Sequence, residues 1–408
     1  MVKLLIVRLK SIKTVFEVEL LMKYKTKNWN TIKNFLRKSY FYKEQAIKNN
    51  VIMSFSNIEK LINEAPVLLL DESINIKPNI GIVKTESSSL IAGYENPKAS
   101  WMKYERFCKI NNIPYSFYDI KESDWIEKSR QYDIIICHTE GSPAYQEMIE
   151  SKIYILDKLL KISCFPSFHE VWQYEDKVRS NYLYQCKKLP TIPTFVTHSK
   201  NEALQQAEKS SYPFITKTTI GSGSSGVIKV DTKKQAKKLI HKIFSDKGVA
   251  TPYAYQNQKD YFYFQEFIDD ATFDLRIILI DDMAFGYYRY PQKGDFRASG
   301  AGIFLKKDIP SDALKVAINV RDKLQSRQLG IDLLYSEKYG QYLIIETSLF
   351  NQIDSPSQLE VDGVAGYYDI SDINNINFKE GKYWVQELVL KNLISNWVKV
   401  NQSGRVNL

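Results

Sequence analysis

At 408 residues the chain exceeds what one ordinary hydrophobic core organises, and two or three domains are expected. Its 44% hydrophobic and 25% charged residues, with 17 Gly and 13 Pro, exclude a disordered or collagen-like chain. The net charge of +9 does not mark a nucleic-acid binder, because residues 1–50 hold twelve Lys/Arg against Glu17, Glu19 and Glu44, which leaves the rest near neutral.

The basic segment 1–65 settles on neither a helical nor a strand period. With Phe35, Tyr40, Phe41 and Tyr42 among its cations, residues 1–60 suit peripheral contact with an anionic membrane surface, against the plainer alternative of a solvated face. The apolar start Leu4 to Val7 is cut by Arg8 and Lys10, and no run of about 18 uncharged apolar residues follows anywhere. Cys108, Cys137, Cys164 and Cys186 lie far apart with no metal-ligand spacing, so reduced thiols and a cytoplasmic protein are expected.

From Pro66, short apolar runs alternate with helical stretches: Val67–Leu70, Ile80–Val83, a helix over about 99–111, then Tyr132–Cys137. This alternation predicts a small parallel α/β unit over 66–165. A helix opens at Glu175-Asp176-Lys177 and ends near Leu189-Pro190, and a short strand follows in 191–196. Tyr212–Lys217 and Val227–Val230 read as hairpin strands around Gly221-Ser222-Gly223-Ser224-Ser225-Gly226, before a Lys-rich helix from Asp231 to about Ile243. Residues 261–290 read as mostly β with a turn at Asp281-Asp282. Ser311 is the expected N-cap of a helix stopped by Gly330, two strands end in Asp332 and Glu346, and a last helix runs near 382–398.

The candidate chemistry lies along this second half. A loop without large side chains, such as 221–226, lets backbone N–H groups cradle phosphate oxygens, and Lys217 at the end of an apolar strand adds a cation beside it. The strand Gln265-Glu266-Phe267-Ile268 offers backbone groups and an aromatic wall to a nucleobase. Asp274, Arg276, Arg289, Asp295 and Arg297 are charges in otherwise buried-looking strands, and the Arg297 guanidinium, among small residues, suits a transferring phosphate. Asp332 and Glu346 end consecutive strands, and antiparallel pairing would put two hard oxygen ligands on one site for magnesium. Each feature alone reads as a flexible hairpin tip or an ordinary strand; the ordered set is far more specific.

That set, with Lys177, Asp274-Leu275-Arg276, Gly294-Asp295-Phe296-Arg297, Gly330-Ile331-Asp332 and Ile345-Glu346, resembles the ATP-grasp superfamily over about 66–400. It lies nearest the branch of ribosomal-protein glutamyl ligases and ATP-grasp proteins of bacterial surface-polysaccharide clusters. The resemblance implies an α/β fold in which a parallel pre-ATP-grasp domain (66–165) precedes two α+β subdomains (166–265 with the lid, 266–400) that clasp ATP between antiparallel sheets. It implies an ATP-dependent carboxylate–amine ligase that works through an acyl phosphate on small-molecule substrates; the near-neutral body argues for no nucleic-acid partner. Alternatives are a non-catalytic ATP-binding module, a phosphotransferase and a peptide-modifying ligase. Lys177, Lys217 and Gly221, Ser222, Gly223, Ser224, Ser225 and Gly226 would hold phosphates, Glu266, Phe267 and Ile268 the adenine, and Asp274 the ribose or the site's frame. Arg297 would be catalytic, and Asp332, Glu346 and Ser348 would bind magnesium, with manganese as the alternative. The branch carries Asn where this chain has Ser348, with Asn351 nearby to substitute, and Ala298–Gly302 lacks the basic residue of glutamyl ligases, so a glutamate substrate does not transfer.

Overall fold

Why an apolar run becomes a fully covered strand is visible at Ile80–Val83, the first strand among the described residues. Strands and helices alternate as β1 (Ile80–Val83), the pair β2 (Leu90–Ile91) and β3 (Tyr94–Glu95), α1 (Ser100–Ile110), β4 (Tyr115–Phe117), α2 (Trp125–Ser129), β5 (Ile134–Cys137), α3 (Pro143–Ile153) and β6 (Ser163–Phe165). In this computed structural model, residues 62–84, 90–91, 94–95, 99–138, 143–221, 226–251, 256–299, 302–350 and 355–405 are described. The membrane contact expected of residues 1–60 therefore lies outside the described residues, as do Ser222, Gly223, Ser224, Ser225 and Asn351.

Strands β4-β1-β5-β6 form one parallel sheet. Every residue of β1 and β5 is buried, which requires the continuous apolar runs Ile80–Val83 and Ile134–Cys137. The run Val67–Leu70, expected as a strand, joins no sheet. Val67 and Leu69 are exposed, and Asn111 holds the run by its backbone, accepting from Leu70 N at 2.8 Å and donating to Leu68 O at 3.0 Å.

The next elements are α4 (Phe168–Gln173), α5 (Lys177–Cys186), β7 (Thr194–Thr197), α6 (Lys200–Lys209), β8 (Phe214–Lys217), β9 (Val227–Val230), α7 (Lys233–Ile243), the pair β10 (Val249–Ala250) and β11 (Asn257–Gln258), and β12 (Phe262–Glu266). Strands β7-β12-β8-β9 make an antiparallel sheet whose two faces differ. One face packs Phe214, Phe262 and Phe264 under Ala203, Ala207, Ala236 and Ile240 of α6 and α7. The alternate residues Tyr261 and Tyr263 meet Val178 of α5 on the other face.

The third sheet is built from β13 (Asp274–Ile280), β14 (Met283–Tyr290), β15 (Ile303–Leu305), β16 (Gln328–Ser336), β17 (Gln341–Ser348), β18 (Leu359–Val361), β19 (Val364–Asp369) and β20 (Asn377–Glu380). Its order is β17-β16-β13-β14-β19-β18, with β15 beside β14 and β20 beside β19. Helix α8 (Ser311–Leu324) packs Leu314, Ala317 and Val320 against Leu275, Ile277 and Ile331 of the sheet, and α9 (Val385–Arg405) closes the described chain. A parallel sheet followed by two antiparallel ones is the expected α/β architecture. Two helix ends differ from expectation: Ser311 is the first helical residue, behind an extended Pro310 with no side-chain cap. Gln325, not Gly330, terminates α8 in a left-handed conformation (φ 52°), and Gly330 lies inside β16 opposite Ser348. Among the described residues no helix is long and apolar enough to cross a membrane.

Candidate active site

The site is assembled where α5, the β8–β9 hairpin and β17 meet. Asp176 caps α5 by accepting from Val178 N and Arg179 N, and the same Oδ1 accepts from Thr219 Oγ1 at 2.7 Å. Lys177 N donates to Thr219 O at 2.9 Å, so the helix start is fastened to the hairpin neck. The Lys177 side chain is buried, donates to Gly221 O at 2.7 Å and lies 3.4 Å from Glu346 Oε1. Gly226 closes the neck at φ 79°, where a Cβ would fall 2.1 Å from Thr218 Oγ1; only glycine fits.

Lys217 ends β8, also buried, with its Nζ 6.0 Å from the Tyr263 ring centroid. Burial pulls its pKa down to about 8, against the opposing pull of the Glu346 carboxylate. For Lys177 burial pulls the same way, but Glu346 and Glu175 outweigh it and its pKa is raised. Two buried ammonium groups, one easily deprotonated, thus share the electrostatic pull of the Glu346 carboxylate.

The carboxylates face these lysines from the third sheet. Asp332 of β16 and Glu346 of β17 are register partners, beside an irregularity between Asp332 and Leu333. Arg276 grips both Asp332 oxygens at 2.7 Å, and Arg289 adds a contact at 2.6 Å. Burial raises the Asp332 pKa, but the two guanidinium groups prevail and hold it well below the usual carboxylate range. Asp274 pairs with Arg289 at 2.5 Å, and burial together with the Asp332 charge pushes it up to about 7. Asp274 is thus turned into the Arg289 contact, with its Oδ1 and Arg289 Nε buried and without a hydrogen-bond partner among the described residues.

Glu346 is partly exposed toward the lysines, and Ser348 Oγ donates to Phe350 O at 3.0 Å. Among the described residues no three His, Cys, Asp or Glu side chains are grouped to hold a metal ion. A pair is enough only for a magnesium ion that takes its other ligands from phosphate and water: a carboxylate has about four lone-pair directions, and the two arginines use three of those on Asp332, leaving one there and the Glu346 carboxylate to hold it.

The other expected residues form a second group. Glu266 accepts from Lys338 Nζ and Tyr339 OH, each at 2.5 Å, and Ile268 is packed with Ile192, Leu334 and Leu343. Phe267 stands between Lys229 Nζ, 4.2 Å from its ring centroid, and Phe296, whose centroid is 5.7 Å away edge-on. Arg297 is exposed and forks onto Asp295 at 2.8–3.2 Å within its own loop.

Sequence reasoning missed Glu175, which lines the cleft with Lys177, Tyr184, Tyr263, Glu346 and Thr347. Its φ of 54° and its place before a helix cap carry no motif, and burial with the Glu346 charge pushes its pKa up to about 7. Tyr184, also missed, shares a 2.7 Å hydrogen bond with Thr347. The signal available for it was its helical position seven residues after Lys177, on the face that turns inward.

Residues 174–362 match the family model described as a RimK-like ATP-grasp domain. The alpha-aminoadipate–LysW ligase LysX of Saccharolobus solfataricus is 28% identical over 207 residues, which are 50% of this chain and 66% of that protein, just under two thirds of its length. LysX of Sulfolobus acidocaldarius is 25% identical over 244 residues, covering 56% of this chain and 77% of the relative. Among solved structures, D-alanine–D-alanine ligase from Bacillus anthracis covers 80% of this chain and 99% of its own, at 15% identity and a TM-score of 0.48.

Proposed function

We propose, on the premise that residues 174–362 form a RimK-like ATP-grasp domain, that the chain is an ATP-dependent ligase joining a carboxylate to an amine. The observation that carries this reading is the convergence of buried Lys177 and Lys217 on Glu346, opposite Asp332. Lys177, Lys217 and the loop from Gly221 to Gly226 hold the phosphates. The backbone of Glu266, Phe267 and Ile268 takes the base, since the Glu266 carboxylate is already engaged. Asp274 frames the site through Arg289, and Arg297 exchanges Asp295 for the transferring phosphate. Asp332 and Glu346, with Ser348 beside them, hold magnesium or manganese. The ion, when bound, neutralises phosphate charge.

The chemistry balances in two steps. A substrate carboxylate oxygen attacks the γ-phosphorus as its bond to the ADP oxygen breaks; the amine then attacks the acyl carbon, loses a proton, and expels inorganic phosphate. The LysX relatives are named for joining an amino acid to the protein LysW; we take from them the reaction class only. A small carboxylate such as a sugar acid, with an amino acid or similar amine, is the substrate pair we put first, in surface-polysaccharide or small-molecule modification. We divide the chain into 1–65, a pre-ATP-grasp domain 66–165, and a clasping domain 166–400 split at 265/266.

The test supplies ATP, magnesium, amino acids and uronic acids, with hydroxylamine to trap the acyl phosphate as a hydroxamate. ADP and phosphate release with hydroxamate formation is expected, and Arg297→Ala should cut it about a hundredfold or more, the scale of losing one donor to developing charge. ADP without free phosphate would indicate a phosphotransferase. ATP binding without turnover would indicate a non-catalytic module, a reading that the engaged Ser348 hydroxyl favours. Ser348→Asn, which restores an amide oxygen beside Glu346, should lower the magnesium or manganese concentration for half-maximal ATP binding by roughly tenfold, read by titration calorimetry.

A further inference from the structure

The loop carrying Arg297 is tied to the rest of the molecule in an informative place. It leaves β14 through Gly294 (φ 84°) and approaches β15 through Gly302 (φ 76°). A Cβ built on either glycine would meet nothing within 4 Å. Both ends therefore have the backbone freedom and the space of a pivot. Between them, Arg297 spends its donors on Asp295, two residues away, which positions nothing beyond the loop. Phe296 reaches out: its ring stands edge-on to Phe267 at 5.7 Å and 85°. Phe267 in turn directly follows β12 and carries Lys229 of β9 over its ring at 4.2 Å. One aromatic ring at the end of β12 thus touches both β9 and the Arg297 loop.

We infer that Phe296 is a positioning residue: it moors the Arg297 loop to Phe267, so that nucleotide held along Glu266–Ile268 restrains the loop and directs Arg297 to the transferring phosphate. This rests on the ATP-binding reading above. Without nucleotide, Phe267 is contacted by Lys229 and Phe296, and Arg297 keeps Asp295. A bound base immobilises Phe267, Phe296 packs against a rigid partner, and the phosphate charge competes with Asp295 for the guanidinium.

The test needs no acyl substrate. Arg297 is exposed, so trypsin should cut the Arg297–Ala298 bond, and the cut is read by mass spectrometry with and without magnesium and the non-hydrolysable analogue AMP-PNP. The analogue should slow this cut about tenfold in the wild type. Phe296→Ala should lose three- to tenfold of that protection, the scale of one edge-to-face pair, and because the coupling is reciprocal, AMP-PNP affinity, read by calorimetry, should fall by no more than the same factor. Phe296→Tyr should keep the protection. Full protection in Phe296→Ala overturns the mooring, and so does a loss of affinity well beyond the loss of protection, which would make Phe296 a pocket wall. A wild type that binds no AMP-PNP sinks the ATP-binding reading itself, a result distinct from binding without protection.

Discussion

Replacing Asp332 by Asn should destabilise the protein by about 3–5 kcal/mol, the cost of leaving a buried guanidinium without its counter-charge. Arg276 uses both Asp332 oxygens and Arg289 a third contact, with the Asp332 side chain only 8% exposed. Asn keeps the shape and one acceptor but removes the charge that two arginines share. Arg289 retains Asp274, so the larger loss falls on Arg276. Glu346→Gln is the comparator: its carboxylate is 29% exposed and pairs only loosely with Lys177 at 3.4 Å, so stability should fall by about 1 kcal/mol or less. Turnover should be lost in both. Urea unfolding of the two variants separates a carboxylate that also holds the sheet together from one that serves the ligand alone, and equal midpoints would refute the assignment.

Raising the pH through 8 should make the protein more stable and its hold on ATP weaker, and one residue should account for both. The Lys217 pKa is pulled by burial from an ordinary 10.5 to about 8. Between these values the unfolded chain carries a proton on this lysine that the folded chain has released. Unfolding then takes up protons, and stability rises with pH across that window. Phosphate binding has the opposite sign, because only the ammonium form attracts the anion. Lys217→Met should therefore stabilise the empty protein at pH 7 and weaken ATP binding by roughly ten- to a hundredfold, the worth of one charge-assisted hydrogen bond. Lys217→Arg should flatten both pH dependences. Opposite slopes in thermal unfolding and ATP titration over pH 7–10 would establish the assignment; parallel slopes would remove it.

What could be read beforehand follows physical lines. Continuous apolar runs such as Ile134–Cys137 announce a doubly covered strand, and a two-residue period places Asp332 and Glu346 on one face once their strands pair. Val67–Leu70 misled because four apolar residues do not reveal whether a neighbouring strand is available; Asn111 supplied a side-chain substitute for the ladder. The partners of Asp332, Asp274 and Glu266 were illegible for a similar reason. Arg276 and Arg289 were visible as charges in buried strands, but cross-strand register decides which carboxylate each one meets. Glu175 depends on a left-handed backbone angle at a non-glycine residue, for which its neighbours give no cue.

Helix α5 belongs to two sheets at once. Its first turn is bound to the hairpin neck through Thr219 and Gly221, while Tyr184 and the residues just after the helix are bound to β17, by Thr347 and by the 2.8 Å bond from Ile344 N to Pro190 O. Its ten residues span about 15 Å. The helix is therefore a strut: a displacement of the hairpin neck at Thr219 and Gly221 would be delivered mechanically to the strand bearing Glu346. Under the proposed function, the phosphate and cation contacts should then tighten together, by a stiff linkage that no charge–charge contact between them has to provide.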